Sequence, residues 1–409
     1  MDDAQRFGLL ILIAAVVGLL AVSSTRLSAR LHVPAPALFL AAAALAAAAV
    51  PSVHAPPHRT VERLVTVALV IILFEGGMHL GVRRVRAAAT AIALVGVVGT
   101  FLTAAVLGVL AHAVLGVGWY AAVLVGTALA PTDPAVVFSV LGGRQIEGRS
   151  GTLLEGESGA NDPVGIALMA ALLLGGGLAR GVTEFLLQMG IGAAVGVVGG
   201  VALRWLMRSV PLPDAGLYPL RVVAAALVVY GAGTVAHGSG FLAVFVAGIV
   251  IGDTQAPYRE EIEHFSSSLA ALAEIVAFIL LGLTIQLGDL ASPGVWATGL
   301  ALGATLAFVI RPLLVGLVLW PLSLERSERL FVLWCGLRGA VPILLGTFIA
   351  TSEVADRQRL YGVVVVVVAF SVVVQGGLVP TVARWCRLPM TPTGGLPAAD
   401  PGGRDDKEA

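Results

Sequence analysis

Apolar stretches long enough to cross a membrane as helices recur along almost the whole sequence. A transmembrane helix needs about 20 mostly apolar residues, because the hydrocarbon layer of a bilayer is about 30 Å thick. The pattern predicts an all-α integral membrane protein with about 13 transmembrane helices. The predicted segments cover residues 7–25, 36–50, 61–79, 87–114, 119–141, 155–178, 183–207, 219–236, 240–252, 266–286, 293–320, 327–350 and 361–385.

The composition agrees with a membrane protein. Hydrophobic residues make up 58% of the chain and charged residues 12%, against about 25% charged residues in an average soluble domain. The formal net charge is zero, which argues against a nucleic-acid partner because phosphate binding needs a concentrated basic surface. Cys335 and Cys386 lie in or beside apolar segments, and we interpret both as small membrane-embedded residues.

The basic residues predict how the chain is oriented, since cytoplasmic loops carry an excess of Lys and Arg. Seventeen of the 25 basic residues lie on the side that follows odd-numbered segments, and six lie on the opposite side. We therefore expect a multi-pass protein of the cell (cytoplasmic) membrane, with its N-terminus outside and its C-terminus in the cytoplasm. The start Met1-Asp2-Asp3 is acidic, unlike that of a cleaved signal peptide, so the first segment is predicted to be retained.

Two regions are predicted along the chain. Residues 1–387 are expected to form one transmembrane domain, and residues 388–409 a disordered cytoplasmic tail. The tail is rich in Pro, Gly and charged residues and has neither a βαβ pattern nor a Gly-rich fingerprint. We expect no nucleotide-binding regulatory domain in this chain.

Segment five is interrupted by the string Pro131-Thr132-Asp133-Pro134. Proline lacks a backbone N–H and strains a helix interior, so the string predicts an unwound stretch within the membrane. Asp133 directly before Pro134 is typical of a helix N-cap followed by proline at the first helical position. The carboxylate of Asp133 either only caps the second half-helix or also takes part in transport, and the sequence leaves both readings open.

A second break is predicted in segment twelve, at Gly336-Leu337-Arg338-Gly339-Ala340-Val341-Pro342. Arg338 places a positive charge there, which suits the negative C-terminal end of a half-helix. Because segments five and twelve are seven apart, segments 1–6 and 8–13 are predicted to be related halves, with segment seven as a linker. Paired broken helices at corresponding positions point to the midplane site of a transporter.

Segment six begins with the polar string Gly156-Glu157-Ser158-Gly159-Ala160-Asn161-Asp162-Pro163. Glu157 and Asn161 are i, i+4 neighbours on a helix. Ser158 and Asp162 form a second such pair, so one side carries two acids, an amide and a hydroxyl. A carboxylate inside a bilayer costs about 2.5–3.5 kcal/mol or more and is rarely kept without a function. These oxygen atoms suit a monovalent cation; the alternative is a polar helix start at the water interface.

Three further charged residues lie inside predicted segments. Glu75 in segment three is either a peripheral cation ligand or an acid near the membrane surface, and Gly76-Gly77 beside it allow another helix to approach closely. Glu274 in segment ten is interpreted as a hydrogen-bond partner within the bundle. Arg311 in segment eleven is expected to have a carboxylate partner, because an unpaired Arg is costly in a membrane.

These motifs resemble those of the monovalent cation/proton antiporters of the CPA1 class, which includes bacterial sodium/proton and potassium/proton exchangers. The pair Asn161-Asp162 is the most specific mark of the resemblance. It implies an inverted-repeat antiporter fold with two broken crossing helices, a dimerisation part and a six-helix core, usually as a homodimer. The resemblance covers Leu73–Gly77, Pro131–Pro134, Glu155–Pro163, Gly238–Gly252, Arg311 and Gly336–Pro342.

The resemblance also implies roles for single residues. Asp162 would bind the cation and the proton in turn, and Asn161 would steady the site and the neighbouring broken helix. Thr132, Ser158 and Glu75 would supply oxygen ligands to the transported Na⁺ or K⁺, Glu75 through a water molecule. The implied buried ion pairs are Glu157 with Arg311 and Asp133 with Arg338.

The implied function is exchange of a monovalent cation (Na⁺ and/or K⁺) for H⁺ in pH homeostasis. Asn161 rather than a second acid precedes Asp162, which resembles electroneutral members with one proton per cation. Ala160 before this pair resembles the potassium/proton branch, but the tail lacks the cytoplasmic regulatory extension usual there, so the preferred ion stays open. No cofactor is implied beyond the transported ions.

Two other classes of membrane protein, an intramembrane protease and a cation channel, are alternatives to an antiporter. An intramembrane aspartyl protease also needs buried acids, but the chain has no Gly-x-Gly-Asp string, and a zinc protease would need His-Glu-x-x-His, which is absent too. A cation channel would line a pore with acids, whereas broken helices in both halves and buried arginines favour alternating access. We therefore expect a transporter rather than an enzyme, and proton dependence distinguishes it from a channel.

Overall fold

The computed structural model describes residues 34–49, 57–141, 144–146, 148–175, 177–320, 324–387 and 390–392, together with Gln5 and Leu19. Nearly all elements in this part of the chain are helices. They are α1 (Ala35–Ala49), α2 (His58–Ile92), α3 (Gly99–Leu115), α4 (Trp119–Leu129), α5 (Pro134–Val140), α6 (Arg149–Leu173), α7 (Leu178–Ser209), α8 (Leu217–Val235), α9 (Gly240–Gly252), α10 (Arg259–Leu283), α11 (Leu287–Leu290), α12 (Val295–Thr305), α13 (Arg311–Leu319), α14 (Arg326–Trp334), α15 (Ala340–Thr351), α16 (Arg357–Phe370) and α17 (Gly377–Cys386). Three π-helical turns join successive helices: π1 (Ala93–Val98), π2 (Leu306–Ile310) and π3 (Ser371–Gly376).

These helices lie over twelve of the thirteen predicted segments. The first predicted segment, 7–25, lies outside the described residues apart from Leu19, so the count of thirteen stays a prediction. By length and composition, six of the described helices can cross a membrane, or seven if the bent pair Trp119–Leu129 and Pro134–Val140 is one span. The predicted all-helical membrane architecture is thereby confirmed.

Predicted segments three and four are joined by a kink rather than by a loop. Helix α2 continues past segment three and contains one non-helical residue, Gly81, with φ 63° and ψ 167°. Glycine adopts this positive φ without steric cost because it has no Cβ. The Asp253 carboxylate accepts a hydrogen bond from the backbone N–H of Arg83 at 2.8 Å and so caps the half-helix after the kink.

The structure contains both predicted helix breaks. Helix α4 ends at Leu129 and α5 begins at Pro134, with a bend of 42° between them. Pro134 occupies the first turn of α5, where a missing N–H costs nothing, and Asp133 is the N-cap. Helix α14 ends at Trp334 and α15 begins at Ala340, with Gly339 as the residue before it.

Helix α9 packs closely against α2 and α7, and glycines allow this approach. A Cβ atom at Gly77 would overlap the carbonyl oxygen of Phe245, and one at Gly248 would overlap that of Phe74. The backbones of α2 and α9 therefore meet directly, as small residues permit between membrane helices. The close approach predicted for Gly76-Gly77 is confirmed at Gly77.

Apolar and polar side chains are distributed as a bilayer requires. Large apolar residues such as Trp205, Leu317 and Trp320 are exposed on the outer faces of the helices, Trp320 to 75%. Lipid tails can cover these faces, whereas polar groups need partners inside the bundle. Buried polar residues on the elements around the two breaks include Thr132, Glu157, Ser158, Asn161, Asp162, Arg311, Arg338, Ser371 and Gln375.

One small antiparallel ribbon completes the described part of the chain. Strand β1 (Arg144–Ile146) pairs with strand β2 (Met390–Pro392). Strand β2 lies within the tail 388–409 for which disorder is predicted from composition. The rest of that tail, apart from β2, lies outside the described residues.

Candidate cation-binding site

The two unwound stretches touch each other through their backbones. The backbone N–H of Asp133, at the end of the break between α4 and α5, donates to the carbonyl oxygen of Leu337 at 2.8 Å. Leu337 lies in the break between α14 and α15. The breaks of segments five and twelve therefore cross at one point, as the paired prolines and glycines of the sequence suggest.

Asp133 caps two half-helices at this crossing. Its Oδ1 accepts a hydrogen bond from the N–H of Ala135 at 3.0 Å, and its Oδ2 accepts one from Ala340 at 3.3 Å. A Cβ atom at Gly339 would overlap the Asp133 carboxylate, so glycine is required there. A carboxylate at the N-terminal ends of α5 and α15 is favoured by both helix dipoles.

The predicted ion pair between Asp133 and Arg338 is wrong for the described structure. Both carboxylate oxygens of Asp133 are engaged by backbone N–H groups of the helix starts instead. Nε and Nη1 of Arg338 have no hydrogen-bond partner among the residues described. The charged groups that act on Arg338 are Arg311, Glu157 and Asp162.

Asn161 on α6 holds the break of segment five. Its Nδ2 donates to Thr132 Oγ1 at 2.7 Å, and its Oδ1 accepts the backbone N–H of Thr132 at 3.3 Å. The Thr132 hydroxyl in turn donates to Glu157 Oε1 at 3.4 Å. All three side chains are buried, so this network fixes α6 to the unwound stretch.

Glu157 and Arg311 form a buried bidentate ion pair. Nη1 of Arg311 donates to Oε1 at 2.7 Å, and Nη2 donates to Oε2 at 3.0 Å. Each side chain is only 3% exposed. Arg311 also donates to the carbonyl oxygens of Val332 and Leu333, which lie in the last turn of α14. The guanidinium therefore joins α6 to the end of α14, just before the break of segment twelve. Arg311 itself directly follows the turn π2.

Asp162 lies at a cavity of about 250 Å³. The residue is 7% exposed. Its Oδ2 accepts a long hydrogen bond of 3.5 Å from Ser158, whereas its Oδ1 has no partner in the described part of the chain. Ser158 and Glu75 also line the cavity, but Thr132 and Asn161 do not. Three of the five predicted ion-binding residues thus face one space.

The cavity also contains acids whose sequence positions do not indicate a place at the site. Glu155 and Glu274 line it, as do Asp133 and His79. Glu155 Oε2 and Glu274 Oε1 are buried without a hydrogen-bond partner among the described residues. The hydrogen bond within the bundle that was predicted for Glu274 is therefore not made by Oε1. The sequence does not locate these acids, because α6 and α10 face one cavity only in the tertiary fold.

Glu75 is less available than the sequence suggests. Its Oε1 is 2.9 Å from His79 Nδ1 and accepts a hydrogen bond from Ser267, also at 2.9 Å. His79 is the i+4 neighbour of Glu75 on α2, a spacing that the sequence does display. Ser267 lies on α10, far from Glu75 in the sequence, so this contact is visible only in the folded structure. The Glu75 carboxylate is therefore held at the cavity wall by two partners.

A second cavity, of about 1030 Å³, lies at the other end of α4. Glu62, Glu353 and Asp356 line it together with Arg359. The eleven residues of α4 separate it from the break, a distance of about 16 Å at 1.5 Å per residue. Asp162 lines only the smaller cavity of the two.

The chemistry available at this site is that of partly free carboxylates, of which Asp162 lies on α6 beside Ser158 and Asn161. Within the described ranges, no group of three or more His, Cys, Asp or Glu side chains is arranged to hold a metal ion. Asp162 Oδ1 is instead positioned to accept a proton or to contribute to a loose oxygen shell around a monovalent cation. Such a loosely partnered oxygen favours reversible binding.

Comparison with known proteins identifies the family. Residues 11–385 match the family model for the transmembrane part of the sodium/hydrogen exchangers. The K⁺/H⁺ antiporter NhaP of Alkalimonas amylolytica is 36% identical over 397 residues, covering 94% of this chain and 68% of the relative. The K⁺/H⁺ antiporter NhaP2 of Shewanella sp. (strain MR-4) is 33% identical over 399 residues, covering 95% of this chain and 69% of the relative.

The fold is also that of a solved antiporter. The structure of the sodium proton antiporter MjNhaP1 from Methanocaldococcus jannaschii matches with a TM-score of 0.78 and 21% sequence identity. The match covers 94% of this chain and 98% of the solved chain. The helical arrangement is therefore shared along almost the full length of both chains.

Proposed function

The chain belongs to the sodium/hydrogen exchanger family, and from this premise we propose that it exchanges a monovalent cation for a proton at Asp162. The observation that carries the proposal is the geometry of Asp162. Its Oδ1 is buried, free of a hydrogen bond within the described residues, and lies at the cavity where the broken helices cross. A proton and a cation compete for this oxygen, since each neutralises the same carboxylate.

Competition at one carboxylate couples the two fluxes. The forms of the site that carry a proton or a cation are neutralised, whereas the empty carboxylate is costly to move through a bilayer. Only the loaded forms cross, by rocking of the core around the fixed site. Asn161 is neutral and occupied with Thr132, so the Asn-Asp pair contributes one titratable carboxylate, and we propose that one proton moves for each cation. Exchange is then electroneutral.

Thr132 and Glu75 contribute less directly than the family resemblance implies. The Thr132 hydroxyl is engaged by Asn161 and Glu157, and the Glu75 carboxylate by His79 and Ser267. We propose that Ser158 and Asp162 supply the cation's side-chain oxygen ligands, and that Glu75 acts from the cavity wall. Thr132 serves mainly to hold the break, together with Asn161.

The transported ion is K⁺ or Na⁺. The two sequence relatives described above are K⁺/H⁺ antiporters by name, and Ala160 before the Asn-Asp pair agrees with that branch. We propose a multi-pass protein of the cytoplasmic membrane with its N-terminus outside, acting as a homodimer that needs only its transported ions. Residues 1–387 would form the transporting domain.

Proteoliposome exchange tests this function. Purified protein is reconstituted with a fluorescent pH dye in the lumen, a pH gradient is imposed, and K⁺, Na⁺ or Li⁺ is added separately. We expect proton movement with K⁺, Na⁺ or both, its loss in Asp162→Asn, and wild-type rates in the exposed control Glu263→Gln. Clamping the membrane potential at different values leaves the rate unchanged if exchange is electroneutral. Proton-coupled cation flux retained by Asp162→Asn would refute the role of Asp162.

A further inference from the structure

The break of segment twelve leaves backbone groups without helical partners inside the bundle. Residues 335–339 interrupt the hydrogen-bond ladder between α14 and α15, and an unpaired N–H or C=O is costly in a membrane. On the side facing segment five, Asp133 engages Leu337 and Ala340. The partners on the opposite side come from the turn π3 in segment thirteen.

Two side chains of π3 span this break. Ser371 Oγ accepts the backbone N–H of Arg338 at 2.9 Å, and Gln375 Nε2 donates to the carbonyl oxygen of Trp334 at 2.6 Å. The Ser371 hydroxyl also donates to Gln375 Oε1 at 3.2 Å. Ser371 and Gln375 therefore form a bridge from the last residue of α14 to the residue before Gly339.

The packing of π3 supports this bridge. Both side chains are buried, Ser371 to 3% exposure and Gln375 to 4%. Trp334 returns a hydrogen bond from its indole Nε1 to the carbonyl oxygen of Gln375 at 3.1 Å. A Cβ atom at Gly376 would lie 3.5 Å from the side chain of Leu337, so the turn lies directly against the break. π-helical turns within α-helices are frequent at functional sites.

The bridge fixes the position of a charge. The guanidinium Nε and Nη1 of Arg338 lack hydrogen-bond partners among the described residues, so the location of this cation depends on its backbone. That backbone is anchored by Ser371. Arg338 lies in the field of Arg311, Glu157 and Asp162, and a shift of the break would alter the field at Asp162.

We propose that Ser371 and Gln375 are positioning residues for the exchange reaction. They hold the unwound stretch of segment twelve, and with it Arg338, in the register that cation binding at Asp162 requires. This inference rests on the proposed function, but the bridge itself can be tested without transport.

Hydrogen–deuterium exchange in nanodiscs tests the bridge. In Ser371→Ala and Gln375→Leu, we expect faster exchange of the amides of residues 334–340 than in the wild type. The matched control is Thr284→Ala, which removes a buried hydroxyl that bonds Tyr361 of the same segment thirteen at 2.6 Å, away from the break. This control should leave residues 334–340 protected. Unchanged protection of the break in both bridge variants would overturn the proposal.

Transport kinetics test the positioning role. We expect Ser371→Ala and Gln375→Leu to raise the apparent KM for the cation by about threefold or more. A threefold rise corresponds to about 0.7 kcal/mol, at about 1.4 kcal/mol per tenfold step. Ser371→Thr keeps the hydroxyl and should retain a KM near that of the wild type, as should Thr284→Ala. A purely structural role would lower the yield of folded protein with KM unchanged, and that result would also overturn the proposal. Absence of cation/proton exchange in the wild type would refute the proposed function, while the hydrogen-exchange result would stand by itself.

Discussion

Asn161 holds Thr132 at both its hydroxyl and its backbone N–H, with distances of 2.7 and 3.3 Å. This reciprocal contact attaches the unwound stretch of segment five to α6. It also explains why an amide stands before Asp162, because a carboxylate lacks the donor that the Thr132 hydroxyl accepts. Asn161 thus has a structural role, since it holds Thr132 in place, while the neighbouring Asp162 carries the carboxylate that can titrate.

Replacing Thr132 by valine should destabilise the protein. Valine keeps the shape but leaves Asn161 Nδ2 without its acceptor and Glu157 Oε1 without one donor. Each unsatisfied buried polar group costs about 1–3 kcal/mol, whereas Thr132→Ser keeps the hydroxyl. Thermal unfolding in detergent, followed by tryptophan fluorescence, measures the difference. An unfolding midpoint of Thr132→Val equal to that of Thr132→Ser would show that the hydrogen bonds of the Thr132 hydroxyl do not stabilise the protein.

Arg311→Ala should harm folding more than ion preference. The variant leaves Glu157 buried without its cation and frees the carbonyl oxygens of Val332 and Leu333. Breaking a buried ion pair from one side costs about 3–5 kcal/mol. The double variant Glu157→Gln/Arg311→Met removes both charges and should recover part of that loss. Unfolding midpoints of the wild type, Arg311→Ala and the double variant test the pair, and an Arg311→Ala protein of normal stability would argue against it.

Gly339→Ala should disrupt the crossing of the two breaks. The added Cβ would overlap the Asp133 carboxylate, which caps both α5 and α15. We expect loss of exchange and a lowered unfolding midpoint. Gly231→Ala on α8 is the matched control, because nothing lies within 4 Å of its added Cβ. That control should be neutral or more stable by about 0.5–1 kcal/mol. Normal exchange in Gly339→Ala would show that the crossing tolerates displacement.

Glu274→Gln should weaken cation binding without abolishing exchange. Glu274 faces the cavity with an unpartnered oxygen, and its carboxylate attracts cations towards Asp162 when it is ionised. Loss of one negative charge at the cavity weakens its attraction for a cation, so a rise in KM of about three- to tenfold is expected, which is about 0.7–1.4 kcal/mol. Glu263→Gln, on the exposed part of the same helix, should leave KM unchanged. Equal KM values for Glu274→Gln and the wild type would exclude this role.

Much of the fold follows from local sequence signals. The apolar segments, the prolines and glycines at both breaks, and the N-cap role of Asp133 depend on neighbours in the chain, and the structure has helices or breaks at these places. The pairing of Arg311 with an acid also follows from the cost of an isolated charge. The identity of that acid as Glu157 comes from the family resemblance rather than from any local rule.

The errors in the site arise from tertiary contacts. Asp133 and Arg338 have opposite charges at paired breaks, but backbone N–H groups of two helix starts take both oxygens of Asp133. Glu274 was underestimated because nothing in segment ten shows that α10 meets the cavity of α6. The bridge of Ser371 and Gln375 was missed for the same reason, since a π-helical turn has no recognisable pattern in this sequence.

The double cap made by Asp133 has a mechanical consequence. Three hydrogen bonds of one residue reach Ala135, Leu337 and Ala340, so the two crossing helices cannot slide past one another without exposing polar groups to an apolar interior. The two breaks therefore move together as one rigid unit and do not act as a hinge. Because Asn161 attaches α6 to the same break, Ser158 and Asp162 move together with the joined breaks. The geometry that selects the ion is then preserved while the core rocks between the two sides of the membrane.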